Sequence, residues 1–130
     1  MLGISTSWRS EIARTGIEII DAILELGMDT IELEYRITTQ MLKEILPLLK
    51  KRRLTVASLH NFFPLPAGLP KEKASGDFFS LSSPDREDQE MAVKYTTKTI
   101  AWAQELEARA IVIHLGKVAM DQPMKILKKL

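Results

Sequence analysis

Along the chain, a short β-prone apolar run is followed by a segment whose apolar residues recur at helical spacing, and this happens four times. Strand alternating with helix leaves few architectures open. Parallel strands joined by right-handed crossovers satisfy it, which makes the chain an α/β protein. The strands are expected at residues 2–6, 30–35 (TIELEY), 54–60 (LTVASLH) and 110–115 (AIVIHL).

The helices follow from capping and periodicity. Thr15 and Glu18 form a capping box, and Ile17, Ile20, Ile23, Leu24 and Leu26 continue to a stop at Gly27. A second helix is expected over 38–51, with Met41, Leu42, Ile45, Leu48 and Leu49 on its apolar face. Pro47 should kink it or split off its last turn. Ser83 as N-cap with Pro84 at the first helical position opens a third helix reaching Glu107, which buries Ala92, Tyr95, Thr99, Ala103 and Leu106. After Gly116, a cap at Asp121 or Gln122 and Pro123 begin a short amphipathic helix through Met124, Ile126, Leu127 and Leu130. Residues 61–83, with Pro64, Pro66, Gly68, Pro70 and Gly76, read as a long βα loop, either a functional cover or a floppy insertion.

A closed (β/α)₈ barrel needs roughly 250 residues, so 130 residues in four βα units correspond to half of one. The expected fold is therefore a single domain over 1–130, a parallel (βα)4 half of a TIM barrel. It would be completed by self-association or by a C-terminal half beyond Leu130. Unpaired edges at the first and last strands expose backbone groups, which predicts a homo-oligomer.

Composition narrows the chemistry. No apolar run approaches the roughly 18 residues of a membrane span, and Met1 leads into a strand rather than a secretory leader, so a cytoplasmic protein without membrane partners is expected. With no cysteine, any metal would be bound by His, Asp or Glu. A net charge of +1 with interspersed signs argues against nucleic acid as a partner. The basic run Lys50, Lys51, Arg52 and Arg53 closes the second helix, where cations complement the helix dipole.

Side chains alternate across a strand, so Glu32 and Glu34 share a face, as do Ser58 and His60, and Val112 and His114. The opposite faces, Ile31 and Leu33, then Ile111, Ile113 and Leu115, are apolar and should carry the helices. That directs the acids and imidazoles inward, where a buried carboxylate calls for a cation such as lysine or a metal. His60 and His114 close their strands at the rim where barrels place catalysis. Asn61, Phe62 and Phe63 either line a pocket there or pack under the loop. Arg36 and Lys117, just past strand ends, read as solvated rather than phosphate-binding, and Trp8 as a sugar-stacking or a rim aromatic. No phosphate loop, nucleophile elbow or metalloprotease motif is present.

GMDTIELEY, VASLHNFFP and the stretch from SSPDRE to AQELEARAIVIHLG together resemble the xylose-isomerase-like barrels, over residues 2–117. That superfamily holds sugar and sugar-phosphate isomerases and epimerases alongside zinc-dependent abasic-site endonucleases. The resemblance implies the N-terminal half of a metal-dependent sugar or sugar-phosphate isomerase or epimerase, inactive alone, whose complete form uses a divalent Mn, Zn or Mg ion. Its main ligands and acid/base glutamates would lie on strands five to eight. Glu32 matches the family's strand-two acid, and His60 and His114 match its strand-three and strand-four histidines. With Asn61 and Phe62 these would border substrate. In the endonuclease branch His60 and His114 would be metal ligands, so half of such an endonuclease is the alternative, along with a non-catalytic self-assembling half barrel. Where the family has a glycine after the third helix, this chain has Glu107, which implies a different helix exit.

Overall fold

The computed structural model describes residues 2–116; Lys117 and the helix expected from Pro123 lie outside the described residues. Strands β1 (Ile4–Ser5), β2 (Thr30–Leu33), β3 (Thr55–His60) and β4 (Ala110–Val112) form one parallel sheet in chain order. Every neighbouring pair is parallel and the sheet does not close on itself, so this is an open (βα)4 half of a TIM barrel.

The helices lie on one side of the sheet because the apolar stripes match. Ile31, Leu33, Val56 and Leu59 from the strands bury against Ile19, Ile20 and Ile23 of α2 (Gly16–Glu25) and Met41, Leu42, Ile45 and Leu49 of α3 (Thr39–Arg52). Gly16 is required at the α2–α3 contact, since a Cβ there would overlap the Met41 carbonyl. Ala103 of α4 (Arg86–Glu105) joins the same core. The register between β2 and β3 slips by one residue, from Ile31 opposite Val56 to Glu32 opposite Ser58. This bulge at Ala57 leaves Val56 and Leu59 both on the helix side and turns Ser58 and His60 towards Glu32.

Local expectations fared unevenly. Thr15 caps α2, its Oγ1 accepting from Glu18 N–H at 3.2 Å, but the return bond of the capping box falls one residue early, with Glu18 Oε2 accepting from Arg14 N–H at 2.9 Å. Gly27 ends the helix region with φ of 72°. A one-turn helix α1 (Ser7–Ser10), too short to show a period, follows β1 unannounced. Pro47 does not divide α3, which runs unbroken; Pro47 and Lys43 are both exposed, so the carbonyl freed one turn back can be hydrated. Ser83 is not the cap of α4. Asp85 is, accepting from Asp88 N–H at 2.9 Å, while Ser83 Oγ shapes the preceding turn by accepting from Asp85 N–H at 3.2 Å, and Pro84 stays outside the helix.

The 61–83 segment is a folded cover rather than a floppy insertion. Leu65 N–H donates to Ile37 O at 2.8 Å, Lys71 Nζ to Ala13 O at 2.6 Å and Gln89 Nε2 to Leu81 O at 3.1 Å, while Phe79 stacks on Tyr95 of α4 with ring centroids 5.5 Å apart.

Glu107 does not alter the helix exit as expected; it adopts the left-handed conformation itself, at φ of 54°, and Ala108 N–H still reaches Ala103 O at 2.9 Å. A residue with a Cβ is disfavoured there by about 1–2 kcal/mol, partly offset by the greater unfolded-state freedom of glycine. Exposed Glu107 makes no other demand, so Glu107→Gly is expected to raise stability by about 0.5–1 kcal/mol, read as a higher urea midpoint at unchanged slope.

Candidate functional site

The inner side of the sheet gathers polar groups at the strand ends. Glu32 sits between two hydroxyls: Ser5 of β1 donates to Oε1 at 2.8 Å and Ser58 of β3 to Oε2 at 2.8 Å. His60 Nδ1 lies 3.7 Å from Oε1. The His60 imidazole, working against the desolvation of partial burial and aided by the two serine hydroxyls, holds the Glu32 carboxyl far below the usual range, at about 2. Among the described residues, the partners of this acid are two hydroxyls and an imidazole, and not the lysine expected.

His60 turns its other nitrogen towards His114, which stands two residues past the end of β4; the Nε2 atoms are 3.2 Å apart. His114 Nδ1 meets Asp77 Oδ1 at 2.9 Å, and Tyr35 packs edge-on to His60 at 5.1 Å between centroids. Glu32, His60, His114 and Asp77 therefore form one continuous line of contacts from the middle of the sheet to the cover loop.

Glu34 leaves this group. It lies beyond β2 with no exposed surface, held by Ser10 Oγ, by Arg36 N–H at 3.0 Å and by Arg36 Nη1 at 3.1 Å. Arg36 is accordingly an ion-pair partner that also lies 4.8 Å over the Tyr35 ring, and not the solvated cation expected. Asn61 and Phe62 are not brought to the line either. Asn61 is buried, with Nδ2 donating to Thr96 Oγ1 and Oδ1 accepting from Thr99 Oγ1, both at 2.8 Å, so it pins the end of β3 to α4. Phe62 and Phe63 are buried beneath the loop against Phe79 and Trp102 respectively, and Trp8 is half exposed on α1.

Sequence reasoning missed Asp77 and Ser5. Asp77 lies in a loop without periodicity, and only the small residue Gly76 beside it hints at a close approach. The position of Ser5, near the end of β1, was readable from strand alternation, but its pairing with Glu32 was not.

Two imidazole nitrogens facing one another suit a borderline divalent metal, yet no group of three or more His, Asp or Glu converges among the described residues. The concavity beside Glu32, lined by Gly3, Ser5, Ala57 and Ser58, has a volume of about 270 Å³. That is just under the range of about 300–1,000 Å³ of ordinary ligand pockets, and neither His60 nor His114 lines it.

In comparisons with known proteins, the model of the family described as xylose isomerase-like TIM barrel matches residues 20–129. No curated protein and no solved structure matches. The family match begins inside α2, runs through Glu32, His60 and His114 and takes in most of the sequence, so the chain belongs to the xylose isomerase-like TIM barrel family.

Proposed function

We propose that this chain supplies the N-terminal half of a divalent-metal-dependent isomerase or epimerase acting on a sugar or sugar phosphate, and that it is inactive without the other half of the barrel. The observation that carries this reading is the line from Glu32 through His60 to His114 at the strand ends on the open inner face. When bound, the metal would polarise a carbonyl or hydroxyl oxygen of the sugar. His60 and His114 would hold it or border it, with the remaining ligands coming from elsewhere. Glu32, with its pKa at about 2, stays ionised at neutral pH, so it anchors His60 and does not serve as a general acid. Where the two histidines border the metal rather than hold it, the Nε2 proton of His60 that faces His114 is the one this half can offer to a substrate oxygen. Proton abstraction from carbon is left to groups outside the described residues.

The edges at β1 and β4, unpaired among the described residues, with Leu2, Val112 and Leu115 exposed, support a covering partner of four further βα units. A C-terminal continuation or a second copy of this chain would provide them.

The facing imidazoles also favour the endonuclease alternative, because paired histidine nitrogens are metal donors. Nitrogen-15 NMR of the histidine rings separates the two readings. On titration with pentose and hexose phosphates in the presence of Mg²⁺ or Zn²⁺, the His60 and His114 signals are expected to shift, with no turnover by the chain alone. Shifts caused only by an abasic-site duplex would transfer the assignment to the endonuclease branch, and shifts with neither ligand would defeat both.

A further inference from the structure

We infer that Asp77 is a positioning residue of this site, fixing the tautomer and the aim of His114 from the cover loop. The inference rests on reading His60 and His114 as the ligand-binding pair. His114 lies beyond the last residue of β4, so strand pairing does not set its ring. Two adjacent loop residues do. A Cβ at Gly76 would stand 3.0–3.3 Å from the ring atoms Cε1, Nδ1 and Nε2 of His114, so the bare backbone at 76 lies directly against the imidazole. Asp77 Oδ1 then takes Nδ1 at 2.9 Å.

The loop that carries them is fastened on both flanks, to Ala13 through Lys71 and to α4 through Phe79 on Tyr95 and Ser80 N–H on Asp88. Gly76 and Asp77 are therefore held in place rather than draped over the site.

The proton count follows from the partners. An ionised carboxylate only accepts, so the N–H of a neutral His114 sits on Nδ1 and its Nε2 carries the lone pair. The contact with His60 at 3.2 Å then requires His60 Nε2 to donate, and the acceptor-only Glu32 carboxylate beside His60 Nδ1 calls for a proton there as well, so the whole line is satisfied when His60 carries both. The same arrangement leaves His114 Nε2 free to become a metal ligand once that proton is displaced. A carboxylate behind a histidine is the usual means of fixing which nitrogen faces the ligand, and its removal costs about 10–100-fold in metal affinity.

The test uses Asp77→Ala and Asp77→Asn in the full chain, with histidine nitrogen-15 spectra in alkaline buffer and calorimetric titration with zinc chloride alone. Asp77 is 49% exposed, so truncation is expected to leave the fold intact, and the near-isosteric Asp77→Asn guards against the case where it does not. Wild type should show His114 protonated on Nδ1. Asp77→Ala should move the proton wholly or partly to Nε2 and weaken zinc about 10–100-fold, while Asp77→Asn, whose amide oxygen still accepts, keeps the Nδ1 tautomer and loses less. An unchanged tautomer in Asp77→Ala, or equal zinc affinity in wild type and Asp77→Ala, overturns the inference and leaves the proposed function standing. A tautomer that switches in a chain that takes up no zinc supports the positioning role and removes the metal from the proposed function.

Discussion

Arg36→Met is expected to destabilise this chain by about 3 kcal/mol at pH 7, because it leaves the Glu34 carboxylate buried without its counter-ion. The Glu34 side chain has no exposed surface and the Arg36 side chain is 22% exposed, so the pair is screened far less than a surface ion pair. Ser10 Oγ and the Arg36 backbone N–H remain as donors after the substitution, which keeps the loss towards the low end of the usual range of about 3–5 kcal/mol. The double variant Glu34→Gln with Arg36→Met removes the orphaned charge and is expected to regain more than half of the loss. Urea midpoints at constant slope measure both. A single-variant loss below about 1 kcal/mol would show that water reaches Glu34 and that the pair behaves as a surface contact.

The same pair marks what the sequence could and could not disclose. The order of strands and helices was legible because each βα unit carries its own period and caps: the Thr15–Glu18 box, the Ile20–Ile23 stripe and the Gly27 stop are local signals read over a few residues. Strand alternation likewise put Glu32, Ser58 and His60 on one face, and the structure joins them. Alternation also put Glu34 with them and failed, because β2 ends at Leu33 and the backbone turns before that carboxylate is placed. Asp85 took the place of Ser83 as the cap because the helix starts two residues later than the Ser83–Pro84 pair suggests, and Ser83 Oγ is engaged with Asp85 N–H in the turn before it.

The candidate site was half legible for a related reason. His60 announces itself at a strand end, and its partner His114 at another, but the pairing of His114 with Asp77 joins residues 37 apart through a loop with no repeat. Such a contact depends on how the cover packs, through Phe62, Phe79 and Tyr95, and no window of sequence contains it. Asn61 shows the converse. A polar residue following a strand-end histidine looks like a substrate contact, yet both ends of its amide are taken by Thr96 and Thr99, which lie one helical turn apart on α4. Its role is to tie β3 to α4, and the cover loop departs from that tie.

Acid should unfold wild type more readily than Glu32→Gln relative to their stabilities at neutral pH, and the difference isolates the inner carboxylate. Glu32 titrates at about 2 in the folded chain, against 4.5 for an unperturbed carboxyl, chiefly because His60, Ser5 and Ser58 favour its charged form. Between those values the unfolded chain takes up a proton that the folded chain refuses, so stability falls as pH falls. The contribution is complete above about pH 5, declines through the interval and is gone near pH 2; screened by the water that reaches this part-buried group, its size is on the order of 1–2 kcal/mol. Glutamine keeps the shape but cannot ionise, and its amide nitrogen meets one serine as a second donor. Glu32→Gln should therefore be less stable than wild type at pH 7 by roughly that amount, and the two urea midpoints should converge towards pH 2 as the wild-type carboxylate is neutralised. Midpoints that stay parallel across that interval would mean that Ser5, Ser58 and His60 do not hold the charge, and with that the anchoring of His60 by Glu32 would fail.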